Sequence, residues 1–296
     1  MPVGFVGLGL MGAAMADRLE KAGYRLAIYN RTKSKAQRFI TRGAVWCDSP
    51  RAVAEQCDVV FTMISTPAVL EIVAKEIRAG LKQGGIHVDC STVSPDVTRS
   101  LEQAYDRAGC HFLHAPVLGS VPQVVEGSLL FFVGGKDEPF RRVEPMLKTI
   151  GSTMWRFERV EQATTVKLIC NSFIAGMIGV LTQALVFAKQ AGIEQRAIVD
   201  IIGHSAMRAP MYETKGNQII ARNFTPRFFV EHLLKDVNLF IEAGKSIHAP
   251  VVLAEVIQRL FSRAIEMGLA QEDYSAVVKV LEEMTGTQNA KTSSRT

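Results

Sequence analysis

The stretch Gly4-Phe5-Val6-Gly7-Leu8-Gly9-Leu10-Met11-Gly12 decides the fold. It follows a short β-rich run and opens a helical pattern, so its GxGxxG glycines lie on a strand-to-helix turn. Gly7 permits a tight turn, Gly9 lets the backbone come close to a pyrophosphate, and Gly12 lets the helix pack closely on the strand. The N-terminus of the helix then offers free N–H groups to phosphate. The stretch predicts a dinucleotide-binding turn; a glycine-rich turn without a ligand is the alternative.

Strand-like and helical patterns alternate through the first half of the chain. Strands are expected at Val3–Val6, Arg25–Tyr29, Val45–Trp46, Asp58–Met63, Ile86–Asp89, Phe112–Ala115 and Leu129–Val133, and helices at Met11–Lys21, Ser34–Arg42, Pro67–Arg78, Pro95–Ala108 and Glu138–Ile150. This alternation predicts an α/β fold with a doubly wound parallel sheet of the Rossmann type. Ligands of such sheets bind at the carboxyl ends of the strands. Cofactor contacts are therefore expected at Met63 and Ile64 as well as in the glycine turn.

The pattern changes after about Glu161. From there on the chain shows helical periods and almost no strand signal, with helices expected at Thr164–Ala191, Glu194–Ile202, Phe229–Gly244, Ala249–Met267 and Tyr274–Met284. We expect a nucleotide-binding domain over residues 1–162 and an all-helical domain over residues 163–296, with a long interdomain helix at 164–191. The polar tail at 285–296 is expected to fray.

The end of the second expected strand bears on the choice between NAD(H) and NADP(H). A site for NAD(H) usually has an acidic residue there, which binds the ribose hydroxyls. This chain has Asn30-Arg31-Thr32, with Lys33 and Lys35 close by. Arg31 can stack on adenine and pair with a 2′-phosphate. These residues predict NADP(H) in preference to NAD(H), unless Arg31 is only a solvated surface arginine.

Composition argues against several other classes of protein. The 296 residues carry a formal net charge of +5 without any block of like charge, so a nucleic-acid surface is not indicated. The five cysteines, an odd number without a CxxC pair, argue against a disulfide framework or a metal site. They favour a reducing, cytoplasmic compartment. The N-terminus lacks the pattern of a signal peptide.

One segment is apolar enough to span a membrane. Residues 168–188 include no charged residue, and about 20 residues can cross a bilayer. Asn171, Ser172, Thr182 and Gln183 lie within the segment, however, and no second segment of this kind exists. A helix that is apolar all round is buried either in a membrane or in protein. We expect a helix buried in the core or at a subunit contact, and no membrane association.

Two places carry polar residues suited to chemistry. Ser91 and Thr92 follow an expected strand, so their hydroxyls would lie at the carboxyl edge of the sheet, whereas capping the next helix requires only Ser94. Lys167 and Asn171 lie four residues apart, on one face of a helix. A lysine buried in such a charge-free helix would have a lowered pKa and could donate a proton near neutrality. The alternative is that Lys167 extends into solvent.

In four motifs the chain resembles the β-hydroxyacid dehydrogenase family, which includes 3-hydroxyisobutyrate dehydrogenases and glyoxylate/succinic semialdehyde reductases. Gly4–Gly12 matches GFxGLGxMG, Asp89–Pro95 matches DxSTxxP, and Lys167–Asn171 matches KLxxN. Lys235-Asp236, taken alone an ordinary surface pair, matches the family's KD pair. The resemblance implies a Rossmann domain and a helical domain that makes most of a dimer contact. It implies a homodimer or homotetramer that acts on a small carbonyl or hydroxy-acid substrate.

The resemblance also implies a role for each matched residue. Lys167 would protonate the carbonyl oxygen as hydride leaves the nicotinamide, and would take the proton back in the reverse reaction. Asn171 and Ser91 would orient the substrate. Thr92 and Lys235 would contact the cofactor.

One segment departs from the family pattern, in which an acidic residue precedes Ala/Gly-Pro-Val-Ser-Gly. His114 stands at the acidic position, and Leu118 replaces the serine that helps to bind a substrate carboxylate. Leu118 makes the pocket more apolar, although the N–H groups of Gly119 and Ser120 can still bind a carboxylate. Asp236 completes the expected substrate-binding set.

Two alternatives to carbonyl reduction stay open. An apolar pocket suits imine reductases, which are related to the family but generally lack the lysine, so Lys167 favours carbonyl chemistry. The other alternative is a catalytically silent NADP-binding interaction protein, against which Lys167, Asn171 and Ser91 argue. Asn30-Arg31-Thr32, Gly119-Ser120 and Pro210-Met211 most resemble the NADPH-using semialdehyde reductase branch. We therefore expect an NADPH-dependent reductase of a small aldehyde or keto acid.

Overall fold

A computed structural model describes residues 2–286. These residues form two compact units, of which the first ends at Ile169 and the second begins at Cys170. The junction lies inside one continuous helix, Val160–Gln190, and the boundary expected at 162/163 falls in the first turn of that helix. From residue 287 on, the tail that was expected to fray lies outside the described part of the chain.

The first unit has the expected α/β composition. Its strands are β1 (Val3–Val6), β2 (Leu26–Tyr29), β3 (Val45–Trp46), β4 (Val59–Thr62), β5 (Ile86–Asp89), β6 (His111–His114), β7 (Val117–Leu118), β8 (Leu130–Gly134) and β9 (Thr153–Phe157). Its helices are α1 (Leu10–Lys21), α2 (Gln37–Thr41), α3 (Pro50–Gln56), α4 (Pro67–Gly80), α5 (Pro95–Arg107), α6 (Val121–Glu126) and α7 (Asp137–Ile150). Helix α8 (Val160–Gln190) begins in this unit.

The sheet confirms the Rossmann prediction over most of its width. Six strands lie in the order β3-β2-β1-β4-β5-β6 and run parallel, which is the doubly wound order. At the far edge the sheet is mixed, because β8 pairs antiparallel with both β6 and β7. Between β6 and β8 the chain forms only the short β7 and α6, rather than the long helical crossover that parallel neighbours usually have.

Local chemistry explains where the helices beside the site begin. Helix α5 starts at Pro95, and the Ser94 side chain accepts a hydrogen bond from the backbone N–H of Val97 at 3.4 Å. This is the cap that the sequence predicts. Because Ser94 fills that role, Ser91 and Thr92 are left for the carboxyl edge of the sheet.

Some expected elements differ from the structure. The single helix expected at Ser34–Arg42 is a 3₁₀ turn, Lys33–Ala36, followed by the short α2, and neither has a side-chain cap to support a longer helix. Strand β9 was not expected, because its residues are exposed or half-buried and show no continuous apolar run. Strand β7 and helix α6 are too short for a periodic signal.

The second unit is helical, as predicted. It holds the rest of α8 together with α9 (Gln195–His204), α10 (Pro210–Ile220), α11 (Val230–Ser246), α12 (Val252–Glu266) and α13 (Val278–Met284), with a 3₁₀ turn at Tyr274–Val277. Helix α10 was not expected. Two of its buried positions are Lys215 and Gly216, which interrupt the apolar period.

Helix α8 is the apolar segment noted in the sequence. Among the described residues it alone has the length and mean hydropathy of a membrane span. Its residues Ala175, Ile178, Leu181 and Leu185 belong to the hydrophobic core of the second unit. Helices of this composition also serve as core helices in globular proteins.

Candidate active site

The glycine turn between β1 and α1 has the geometry that a pyrophosphate requires. Gly7 has a φ of 97°, and a Cβ atom there would lie 2.4 Å from the carbonyl oxygen of Met63. A Cβ atom at Gly12 would lie 2.0 Å from the carbonyl oxygen of Gly7. The fold itself therefore requires glycine at both positions. A Cβ atom at Gly9 would meet no protein atom within 4 Å, so a phosphate at the N-terminus of α1 explains that glycine better than packing does.

Asn30 ties the end of β2 to the glycine turn. Its Oδ1 accepts a hydrogen bond from the backbone N–H of Leu8 at 2.8 Å, and its Nδ2 donates to the carbonyl oxygen of Thr32 at 2.9 Å. Arg31 and Lys33 next to it are exposed. The end of β2 thus offers positive charge where NAD(H) sites usually have a carboxylate.

Ser91 joins the loops that follow β4 and β5. Its Oγ accepts a hydrogen bond from the backbone N–H of Ile64 at 2.8 Å and donates to Asp89 Oδ1 at 2.6 Å. Met63, at the start of the same loop, donates its N–H to the carbonyl oxygen of Val6 at 3.1 Å. The Ser91 side chain is fully buried, and its proton is directed to Asp89. Its contact with a substrate stays a prediction, as does that of half-buried Thr92 with the cofactor.

The segment with the altered pattern lies at β7 and α6. Leu118 is half-buried and Gly119 is exposed, with a φ of 133°. The N–H and hydroxyl of Ser120 both donate to Gln123 Oε1, at 2.9 and 2.8 Å. The Ser120 N–H that was expected to bind a carboxylate therefore already has an acceptor within the protein. His114, at the end of β6, is fully buried and pairs with Asp89.

Lys167 and Asn171 lie on helix α8, as predicted. The Lys167 side chain is 8% exposed and that of Asn171 is 2% exposed. The alternative that Lys167 extends into solvent is therefore wrong. Its use as a proton donor stays a prediction.

Asp236 on α11 holds Asn171 in one orientation. Its Oδ2 accepts a hydrogen bond from Asn171 Nδ2 at 2.5 Å, and its Oδ1 lies 2.7 Å from Lys235 Nζ. Because a carboxylate only accepts hydrogen bonds, Asn171 turns its NH₂ group to Asp236 and its Oδ1 elsewhere, as an acceptor. Asp236 is 2% exposed, so Lys235-Asp236 is not the ordinary surface pair that its sequence alone suggests.

Sequence reasoning missed a group of buried polar residues behind Ser91. Thr62 Oγ1 donates to Asp89 Oδ1 at 2.6 Å and lies 2.8 Å from His87 Nε2. His87 Nδ1 lies 2.8 Å from the hydroxyl of Tyr105. Burial lowers the pKa of His87 to about 4. A signal for this group was present, because His87 and Asp89 alternate with apolar residues in a strand expected to be buried.

Comparison with known proteins places both units in one group of enzymes. Residues 2–165 match the NAD-binding domain of 6-phosphogluconate dehydrogenase, and residues 162–281 match a domain described as the NAD-binding domain of NADP-dependent 3-hydroxyisobutyrate dehydrogenase. Glyoxylate/succinic semialdehyde reductase 1 of Arabidopsis thaliana is 30% identical over 95% of this chain and 98% of its own.

Two solved structures bear on the alternatives. A 3-hydroxyisobutyrate dehydrogenase from Salmonella typhimurium has a TM-score of 0.87 at 26% identity, covering 95% of this chain and 99% of its own. An imine reductase from Myxococcus stipitatus has a TM-score of 0.67 at 17% identity, covering 95% of this chain and 100% of its own. The second likeness is one of fold alone.

Proposed function

Because the chain belongs to the β-hydroxyacid dehydrogenase family and is an oxidoreductase that uses a nicotinamide cofactor, we propose that it reduces a small aldehyde or keto acid with NADPH. The observation that carries this proposal is a buried lysine, Lys167, four residues before an asparagine, Asn171, that Asp236 holds in one orientation. A buried amine beside an oriented amide is suited to protonating a carbonyl oxygen.

The residues present fit the cofactor. Gly7–Gly12 and the N-terminus of α1 would hold the pyrophosphate, and Arg31 with Thr32 would hold the 2′-phosphate. Asn30 would keep the turn in place, as its bond to Leu8 N–H suggests. We assign Met63, Ile64, Thr92 and Lys235 to further cofactor contacts. NADPH, when bound, supplies the hydride.

The chain's own residues then handle the proton. As the carbonyl carbon receives hydride, the electron pair of the C=O bond moves to oxygen, and that oxygen takes a proton from Lys167. Asn171 orients the carbonyl or the ammonium, with Ser91 fixing the neighbouring loops. Solvent restores the proton on Lys167. In the reverse direction Lys167 takes the proton from a hydroxy acid.

The proposed substrate contacts lie in the segment that departs from the family pattern, at Leu118 and Gly119. Leu118 offers an apolar wall, and Gly119 offers an N–H group without a side chain. Because the N–H of Ser120 already binds Gln123, an anionic group would have fewer donors here than in relatives with serine at position 118. This arrangement favours a bulkier or less polar aldehyde or ketone than glyoxylate. Asp236 contributes by holding Asn171.

Imine reduction is the second candidate. The fold likeness to imine reductases is compatible with it, whereas Lys167 favours carbonyl chemistry, because the family resemblance implies that imine reductases generally lack this lysine. A silent NADP-binding protein is the third, and the buried Lys167 and Asn171 argue against it because buried polar residues are costly to keep without a role.

We propose a homo-oligomer in the cytoplasm. Phe173, Val180 and Phe187 on α8 are 68%, 65% and 75% exposed and lie seven residues apart, so they form one apolar stripe. An uncharged stripe of this kind is complementary to itself, and a second copy of the chain would cover it.

A substrate panel tests the proposed function. The protein is supplied with NADPH or NADH and with succinic semialdehyde, glyoxylate or a cyclic imine, and oxidation of the cofactor is followed by absorbance. We expect turnover of an aldehyde, with a higher kcat/KM for NADPH than for NADH. Turnover of the imine alone would move the assignment to imine reduction, and tight NADPH binding without any turnover would support the silent module.

A further inference from the structure

Three neighbouring strands end in polar residues that lie side by side. In the register of β4, β5 and β6, Thr62 is paired with Asp89, and Asp89 with His114. All three side chains are fully buried. Burying a carboxylate is costly unless it is paired and hydrogen-bonded, so the neighbours of Asp89 must compensate its charge.

The two oxygens of Asp89 face different neighbours. Oδ1 accepts hydrogen bonds from Thr62 Oγ1 and Ser91 Oγ, both at 2.6 Å. Oδ2 makes no hydrogen bond to a described residue and lies at an ion-pair distance, 3.2 Å, from His114 Nδ1. Burial acts to raise the pKa of Asp89, but His114, His87 and Ser91 together outweigh it, and the pKa is lowered. The carboxylate is thus ionised and acts only as an acceptor.

Ser91 connects Asp89 to the loop beside the glycine turn. The proton of Ser91 is directed to Asp89, so its oxygen is positioned to accept the backbone N–H of Ile64 at 2.8 Å. The loop that starts there forms a wall of the glycine turn: a Cβ atom at Gly7 would lie 2.4 Å from Met63 O and 3.1 Å from Ile64 Cδ1. A rotation of the Asp89 carboxylate would therefore release Ser91 and, with it, this wall.

We propose that His114 is a positioning residue for cofactor binding: its imidazole holds the Asp89 carboxylate so that Ser91 keeps the Ile64 backbone against the glycine turn. The inference rests on the proposed function of that turn. Other polar groups near Asp89 do not replace His114. Thr62 and Ser91 share the opposite oxygen, and His87 contacts Thr62 rather than the carboxylate.

Substitutions at His114 test the proposal through NADPH affinity, measured by quenching or enhancement of fluorescence. His114→Asn keeps an N–H donor two bonds from Cβ, where Nδ1 stands, whereas His114→Leu removes the donor. His114→Gln moves the donor one bond outward. We expect the Kd for NADPH to rise about tenfold in the Leu variant, which removes the polar contact with Asp89 Oδ2 and corresponds to about 1.4 kcal/mol. The Kd should rise less in the Gln variant and stay within about twofold in the Asn variant.

Two controls separate positioning from general damage to the fold. His111→Leu changes the first residue of the same strand, away from the carboxyl edge, and is expected to leave the Kd unchanged. In a Ser91→Ala background the His114→Leu substitution should cost no further affinity, because the link to Ile64 is already lost. If the Leu variant does not fold, the comparison of the Gln and Asn variants decides.

Three results would overturn the proposal. The first is an unchanged Kd in the His114→Leu variant, with only its melting temperature lowered. The second is equal Kd values for the Gln and Asn variants. The third is an equal loss of affinity from His114→Leu with and without the Ser91 hydroxyl. Absence of NADPH and NADH binding in the unaltered protein would be a different failure, that of the proposed function itself.

Discussion

Acid should destabilise the first unit through His87. The ring is fully buried on β5, with Nδ1 2.8 Å from the Tyr105 hydroxyl and Nε2 2.8 Å from Thr62 Oγ1. Its pKa is lowered to about 4, first by burial and also by His114, with Asp89 acting in the opposite direction. The native protein therefore holds this imidazole neutral at pH values where an unfolded chain would protonate it.

The size and sign of the effect follow from linkage. An unfolded histidine has a pKa of 6.5, so between pH 6.5 and about pH 4 the unfolded state binds one more proton than the native state. The contribution of neutral His87 to the free energy of unfolding is fully present above pH 6.5 and is lost as the pH falls towards 4. With 1.36 kcal/mol for each pKa unit, His87 alone lowers the free energy of unfolding by about 3 kcal/mol across this window. At still lower pH the free energy of unfolding continues to fall, because the pKa of Asp89 is also lowered in the native protein.

Urea denaturation at several pH values between 7 and 4 measures this contribution. The only two tryptophans, Trp46 and Trp155, lie in the first unit and report its unfolding by fluorescence. His87→Leu removes the titrating group, and both neighbouring hydroxyls keep an acceptor: Tyr105 in the carbonyl oxygen of Ala74, and Thr62 in Asp89. We expect the unaltered protein to lose about 3 kcal/mol more than this variant between pH 6.5 and 4.

A matched control uses a histidine outside the buried group. His204, at the end of α9, is exposed, and His204→Leu should keep the full pH dependence. Equal pH dependence in the His87→Leu variant and the unaltered protein would refute the reasoning, because the carboxylates that titrate nearby are common to both.

Three further predictions concern the rest of the chain. Lys215→Ala should lower the free energy of unfolding of the second unit by about 3 to 5 kcal/mol, because it leaves Asp273 buried without its partner at 2.7 Å; Lys245→Ala, at an exposed ion pair, should leave urea denaturation unchanged, and equal losses would contradict the argument. Arg31→Ala should lower kcat/KM for NADPH about tenfold and leave that for NADH unchanged, and equal losses with both cofactors would exclude a 2′-phosphate contact. Phe173→Glu should reduce the molar mass measured by light scattering to that of one chain, whereas an unaltered oligomer would show that the α8 stripe is not the contact.

Short sequence motifs and patterns predicted the fold of the first unit well. GxGxxG, Ser94-Pro95 and the apolar runs of the strands act over a few residues, so their outcome can be read without the rest of the chain. Patterns of this kind failed at α10. There Lys215 is buried because Asp273, far along the chain, neutralises it, and Gly216 is required because a Cβ atom would lie 2.6 Å from Val199 Cγ2.

In the site, too, features set by neighbouring residues could be predicted, whereas contacts between residues far apart in the chain could not. That Lys167 shares a helix face with Asn171 follows from helix periodicity. Its burial did not follow from the sequence, which left extension into solvent open, and is seen only in the structure. The Asn171–Asp236 contact joins positions 65 apart, and the Asp89–His114 pair depends on the register of two strands. Neither could be predicted from spacing. The deviation of His114 from the family pattern was visible, but its partner was not.

Replacement of Lys167 tests the central claim most directly. Lys167→Met keeps most of the side-chain volume and removes the proton donor, while Lys189→Met makes the same change at the exposed end of the same helix. We predict a fall in kcat of about 10²- to 10⁴-fold for the first variant with its NADPH affinity retained, and normal turnover for the second. Near-normal turnover of an aldehyde by the Lys167→Met variant would contradict the assignment of this amine as the proton donor.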